Sequence, residues 1–133
     1  MLDVRIHSGV EAFNTGEYFK AHEIWESAWR EALPPEKDYY KALIQAAVAL
    51  HHLHNGNVLG AHRLAGRALK GLDRFAPVYF GLDTRQLREF LYQVLTESPS
   101  RPDDEPATTG HLLEQRDVTV DCLIKYSGVD GDE

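Results

Sequence analysis

The sequence predicts an all-α protein, a compact bundle of about five helices with tetratricopeptide-like hairpins and a short extended C-terminal segment. Three observations carry that expectation. Apolar residues recur at spacings of three and four through roughly the first hundred positions, the period of helices with one buried face. Gly, Pro and Asn interrupt the pattern at intervals suited to helical hairpins. A shift of about forty residues aligns Gly16, Ala21, His22 and Ala28 with Gly56, Ala61, His62 and Ala68, so the second and fourth helices are related copies. Two copies are too few for a solenoid, which favours the bundle.

The first helix is expected from Asp3, an N-cap, to Phe13, with Asn14, Thr15 and Gly16 closing it. The second spans Glu17 to Leu33 and is stopped by Pro34 and Pro35, which lack the helix donor. The third starts at Glu36 to Asp38, where acids suit the helix dipole, and runs to His54 before the turn Asn55, Gly56, Asn57. The fourth covers Val58 to Phe75, ahead of Pro77, and the fifth runs from an Asp83 or Thr84 cap to Glu97. This defines a helical domain over 1–98. Residues 99–110 read as an acidic, Pro-rich linker, and 111–133 as a tail. Within the tail, Asp117 to Tyr126 is β-branched and apolar, a short strand that needs a partner in its own bundle or in a second copy. Loss of the tail is expected to leave the helical core folded.

At 133 residues the chain has room for one domain, and 43% hydrophobic with 26% charged residues is a globular composition. The longest nearly apolar run, Ala42 to Leu50, is far short of the roughly 20 residues of a membrane span. The first residues hold no secretory or transit signal, so a cytoplasmic location is expected. The single cysteine, Cys122, excludes an internal disulfide, a thiolate metal cage and a CxxC redox centre. A net charge of −7 argues against nucleic acid as the default partner. The 21 acidic against 14 basic residues fit either salt adaptation or an ordinary acidic protein.

Candidate chemistry lies in FNTGEYFKAHEIWESAWR, residues 13–30, where His22, Glu26 and Trp29 share one helical face. A histidine and a carboxylate one turn apart can chelate a divalent metal, or the carboxylate can orient the imidazole. If the second and third helices pack antiparallel about Pro35, Glu26 faces Gln45 and His22 faces Ala49, with His52 within a turn of His22. Polar groups meeting in such a seam must bond one another, a water or an ion.

These residues, together with ALIQAAVALHHLHNGNVLGAHRLAGRAL, resemble the DUF309 family of small helical proteins of unknown function, over about residues 10–74. The family carries a HxxxExx(W/Y) motif, here His22, Glu26 and Trp29, for which metal binding has been suggested. A second characteristic stretch corresponds to Gln45, His52, Gly56, Asn57, Gly60 and Ala61. Seam geometry and resemblance together define a candidate metal or polar-ligand site of His22, Glu26 and His52, with Gln45 and Trp29 supporting it and a divalent ion of unassigned identity as the cofactor. The competing reading is a structural hydrogen-bond network.

His51, His54 and His62 are expected to be structural, since Gly66 stands where the second copy would need its carboxylate. Arg63, Arg67, Lys70 and Arg74 form a basic strip on the fourth helix, a solvated face or a receiver for an acidic partner or phosphate. Phosphate loops, GxSxG and HExxH are absent. Three functional readings stay open: a metal or polar-ligand protein, a tetratricopeptide-like protein-interaction module, and a metal-dependent hydrolase. Whether it is an enzyme, which small molecule it takes, and whether it forms a homodimer or binds a protein partner are left open by the residues alone.

Overall fold

Helix boundaries fall where backbone chemistry requires them. The computed structural model describes residues 4–97 and 124–126. Five helices follow in order, α1 (Val4–Asn14), α2 (Tyr18–Glu31), α3 (Glu36–His54), α4 (Val58–Asp73) and α5 (Arg85–Glu97). Strands β1 (Val78–Tyr79) and β2 (Leu82–Asp83) lie between α4 and α5, and β3 (Lys125–Tyr126) completes the set.

The two related turns are built alike. At the end of α1, Glu17 N–H donates to Ala12 O (2.9 Å) and Gly16 N–H to Phe13 O (3.1 Å). At the end of α3, Asn57 N–H donates to His52 O (2.8 Å) and Gly56 N–H to Leu53 O (3.1 Å). Both are Schellman ends, and they place Gly16 at φ 88° and Gly56 at φ 84°, where a Cβ is penalised. The repeat seen in the sequence is therefore a repeat of backbone geometry.

Helix α2 stops at Glu31, two residues before the expected Leu33, because the chain turns extended at Ala32 (φ −85°, ψ 159°) to enter Pro34 and Pro35. Lys37 Nζ reaches back to Trp29 O (2.8 Å), satisfying a carbonyl at the helix end. Helix α4 ends at Asp73 rather than Phe75. The following residues form a β1–β2 hairpin that the periodicity did not predict, closed over Phe80 (φ 57°) and Gly81 (φ 73°), the two positive-φ residues of a tight hairpin turn. Asp83 Oδ1 then accepts Arg85 N–H (3.0 Å) to start α5.

Each helix packs on the next, so α3 lies between α2 and α4, with α1 and α5 outside. The contact faces are small. Ala21 and Ala28 of α2, Ala42, Ala46, Ala47 and Ala49 of α3, and Ala61, Ala65 and Ala68 of α4 are all at most 2% exposed. A Cβ on Gly71 of α4 would stand 2.8 Å from Ala42 Cβ, so these two helices touch at a glycine. Bulk is supplied at the edges. Trp25 is fully buried, donates through Nε1 to Ile6 O (3.4 Å), and lies flat against Gly9 of α1. At the other side Tyr39 packs on Phe75 and Tyr79 at centroid distances of 5.1 and 4.9 Å, holding the hairpin to the helices. Burial, reinforced by Tyr79, pushes the Tyr39 hydroxyl well above its ordinary ionisation range.

Strand β3 pairs antiparallel with β2 in a three-stranded sheet of order β1-β2-β3. Ile124, just before it, is 2% exposed and belongs to the core. Asn14 clamps its backbone twice, donating from Nδ2 to Ile124 O (2.8 Å) and accepting Ile124 N–H at Oδ1 (3.3 Å). Of the two partners expected for the segment, its own bundle or a second copy, its described end takes the first, held by one buried apolar side chain and a two-bond clamp. The linker 99–110 and the rest of the tail fall outside the described residues.

Three stability changes follow. Gly9→Ala should destabilise by about 1–3 kcal/mol or more, because its Cβ would fall onto the Trp25 ring, whereas Gly16→Ala should cost about 1 kcal/mol through backbone conformation alone. Ile124→Ala should cost about 2–4 kcal/mol in urea denaturation, a loss absent if the segment were merely a solvated tail.

Candidate functional site

On the outer face of α2, His22, Glu26 and Arg30 stand one turn apart. His22 Nε2 lies 3.6 Å from Glu26 Oε1, and Glu26 Oε2 lies 3.5 Å from Arg30. The side chains of His22 and Glu26 are 23% and 36% exposed, so the pair sits at the surface of the seam rather than inside it. The other imidazole nitrogen, Nδ1, is buried and has no hydrogen-bond partner. Those two facts assign the ring. With a carboxylate nearest Nε2, the neutral tautomer carries its hydrogen there, and Nδ1 is left as an acceptor among apolar atoms.

Phe19, one turn before His22, packs at a tilt beside it, 5.3 Å between centroids, and beside His51 of α3 at 5.4 Å. Its ring is still 50% exposed. His51 Nε2 lies 3.2 Å from Asn55 Nδ2. The histidine expected here, His52, goes elsewhere. Its Nδ1 is 3.3 Å from Asn57 Nδ2, and Asn57 Oδ1 accepts Gly60 N–H (3.0 Å) to cap α4. A Cβ on Gly60 would come within 3.0 Å of the His52 ring. His52 therefore leans on the first turn of α4, and His51 is the residue turned toward α2.

Along this seam Trp29 meets Lys37 and Phe19 meets His51. Adjacent residues on a helix diverge by about 100°, and α3 has a neighbour on each flank, so His51 and His52 separate to the two sides. Trp29 lies half-buried under the Lys37 ammonium, 4.2 Å from its ring centroid. Gln45 is half-buried on α3 and does not supply the missing partner of His22 Nδ1. His54 is exposed and His62 half-buried.

His22 and Glu26 bring two possible metal ligands together. Among the described residues no group of three or more His, Cys, Asp and Glu side chains could hold a metal ion. The spacing of His22 and Glu26 suits two ligands of one ion, which lie about 3–3.5 Å apart. Coordination at Nε2, however, would move the imidazole hydrogen onto Nδ1, where it meets no acceptor, at a cost of about 1–3 kcal/mol. What the arrangement does offer is a half-exposed phenyl ring held between two imidazoles and flanked by a carboxylate. Phe19 and His51 are the members that the sequence did not single out for the site. The signal for Phe19 was its position three residues before His22 and its counterpart Leu59 in the second copy, which is 44% exposed.

The pattern of helices and the HxxxExxW face coincide with a match to a known family. Residues 6–64 fit the model described as Domain of unknown function (DUF309). Over this stretch the chain is similar to the DUF309 family. Similar chains include an uncharacterized protein of Aquifex aeolicus (strain VF5), 34% identical over 85 residues that make up 63% of this chain and 26% of that protein. The uncharacterized protein YpuF of Bacillus subtilis (strain 168) is 39% identical over 88 residues, 64% of this chain and 51% of YpuF. The aligned region is therefore about half of one relative and a quarter of the other. No solved structure matches the chain. Among the described residues no helix is long and apolar enough to cross a membrane. The DUF309 stretch contains α2, α3 and the whole Phe19, His22, Glu26, His51 group.

Since His22 Nδ1 has no partner, His22→Phe should be neutral or stabilising by up to about 1 kcal/mol in thermal denaturation. A loss above about 2 kcal/mol would mean that Nδ1 is engaged, and would return the pair to the role of a network.

Proposed function

We propose that the protein is a helical protein-interaction module that docks a partner on the α2–α3 face, with Phe19 as its anchor. The observation that carries this reading is the Phe19 ring, half exposed yet held on two sides by His22 and His51. An aromatic side chain whose rotamer is fixed by neighbours loses little entropy on binding, the property of interface hot spots. Glu26 and the imidazole Nε2–H give the rim of the face polar contacts of both kinds, acceptor and donor. Sequential antiparallel hairpins present such faces in tetratricopeptide-like arrays. The aligned region covering only part of the longer relatives agrees with a module that works beside other segments. His22 and Glu26 orient the anchor in this reading rather than perform a reaction.

The test separates docking from metal binding. Phe19→Ala should leave the melting temperature within about 2 °C, because the ring is half exposed, and should abolish capture of a partner that wild type and Leu59→Ala retain, with the pair then reconstituted from purified components. Addition of Mn, Co, Ni or Zn should not raise the melting temperature of the wild type. A metal-dependent rise that His22→Phe and Glu26→Gln both lose would overturn the proposal in favour of a metal site.

A further inference from the structure

Among the described residues five of the seven arginines are paired with a carboxylate. Arg5 meets Glu31 (2.9 Å), Arg30 meets Glu26 (3.5 Å), Arg74 meets Asp38 (3.4 Å), Arg85 meets Asp83 (2.6 Å) and Arg88 meets Asp73 (3.2 Å). Arg63 and Arg67 are the exceptions among the described residues: both are exposed, and neither has a carboxylate within ion-pair distance. Lys70, one turn on, is exposed and unpaired in the same way. With Arg74 they make one straight cationic strip along the outer face of α4, about 16 Å long at the helical rise. In a chain of net charge −7, Arg63, Arg67 and Lys70, unpaired over about 10 Å of helix while Asp38 holds Arg74, make an uncompensated field of opposite sign.

Beside the strip lies a groove. Helices α4 and α5 run antiparallel, as Arg88 beside Asp73 and Leu95 beside Gly66 fix, which brings Tyr92 level with Leu69. The groove has a volume of about 600 Å³, with Leu69, Leu95 and Tyr92 supplying apolar surface and Asp73, Arg88 and Glu89 polar edges. At Gly66 the two helices are not in tight contact, since a Cβ there would meet only Leu95, at 3.8 Å. Tyr92 is 62% exposed, an aromatic ring at the mouth of the groove.

We infer that this strip and groove together receive an acidic amphipathic helix of a partner protein, its carboxylates on Arg63, Arg67 and Lys70 and its apolar side chains on Leu69, Leu95 and Tyr92. Spacing and charge both point there. Acids at i, i+4 and i+7 of an incoming helix repeat the spacing of Arg63, Arg67 and Lys70, and an apolar stripe on its next flank falls into the groove. The excess negative charge elsewhere repels an acidic segment, so the strip is the place where one is attracted. An anionic backbone without apolar side chains, such as single-stranded nucleic acid, would use the cations but leave Leu69 and Leu95 uncovered. The α4–α5 surface is separate from the Phe19 face and does not depend on it.

Fluorescence anisotropy on the full chain tests the inference with three labelled probes: a roughly 18-residue peptide with Leu and Glu in helical amphipathic order, its scramble, and an oligothymidylate of similar length. The ordered peptide should bind about tenfold more tightly than the scramble and weaken as salt is raised through about 0.2 M. Arg63→Glu with Arg67→Glu should lower its affinity at least about tenfold, and Tyr92→Ala about fivefold, with circular dichroism unchanged because all three side chains are exposed. Phe19→Ala should have no effect on it. Equal binding of ordered and scrambled peptides, tighter binding of the oligothymidylate, absence of binding, or indifference to the double charge reversal would each overturn the proposal.

Discussion

The close approach of α3 to both α2 and α4 is the constraint on which the remaining structure depends. Alanines on all three helices and Gly71 against Ala42 let the backbones come together with little side chain between them. Such an interface contributes through dispersion between well-packed small groups and leaves little room for polar atoms. Large side chains are therefore displaced to the margins: Trp25 toward α1, Tyr39 toward the hairpin, Phe19 toward solvent. Every feature with chemical potential lies at one of those margins, because the centre has no space for one.

The same constraint governs the histidines. A helix with a neighbour on each flank divides its consecutive residues between two seams, so the HH pair of α3 cannot act as a unit. His51 packs against Phe19, while His52 braces the capped start of α4 through Asn57. His22 keeps its carboxylate neighbour at surface distance and carries a buried, unpartnered nitrogen, a combination that suits an orienting role better than ligation. A pair of this exposure contributes at most about 1 kcal/mol to stability, so its value to the protein lies in where it holds the Phe19 ring.

Charge is segregated as well as scarce. Glu26 and Glu31 of α2, Asp38 of α3, Asp73 of α4 and Asp83 of the hairpin each lie beside an arginine, and Arg63, Arg67 and Lys70 leave the outer face of α4 cationic. The α2–α3 and α4–α5 faces thus differ in kind, one aromatic with a mixed polar rim and the other basic beside an apolar groove. Two chemically distinct faces on consecutive hairpins are consistent with a region that forms only a part of longer relatives.

Much of the fold was legible from the residues. Apolar period, Pro34–Pro35, and the paired Gly16 and Gly56 each act within a few positions along the chain, so five helices and their related turns could be read without a third dimension. The face carrying His22 and Glu26 followed for the same reason, since residues four apart on one helix meet whatever surrounds them. The hairpin at Val78 to Asp83 was not legible, because strands of two residues have no period and Phe80 at positive φ is no turn signature. The choice of His51 over His52 depended on how α3 is turned between α2 and α4, which the periodicity of one helix does not fix. The docking of Ile124 on Asn14 and the unpaired state of Arg63 and Arg67 were likewise decided only in space, where contacts join residues far apart in sequence and a charge is neutralised by whichever carboxylate the packing brings near.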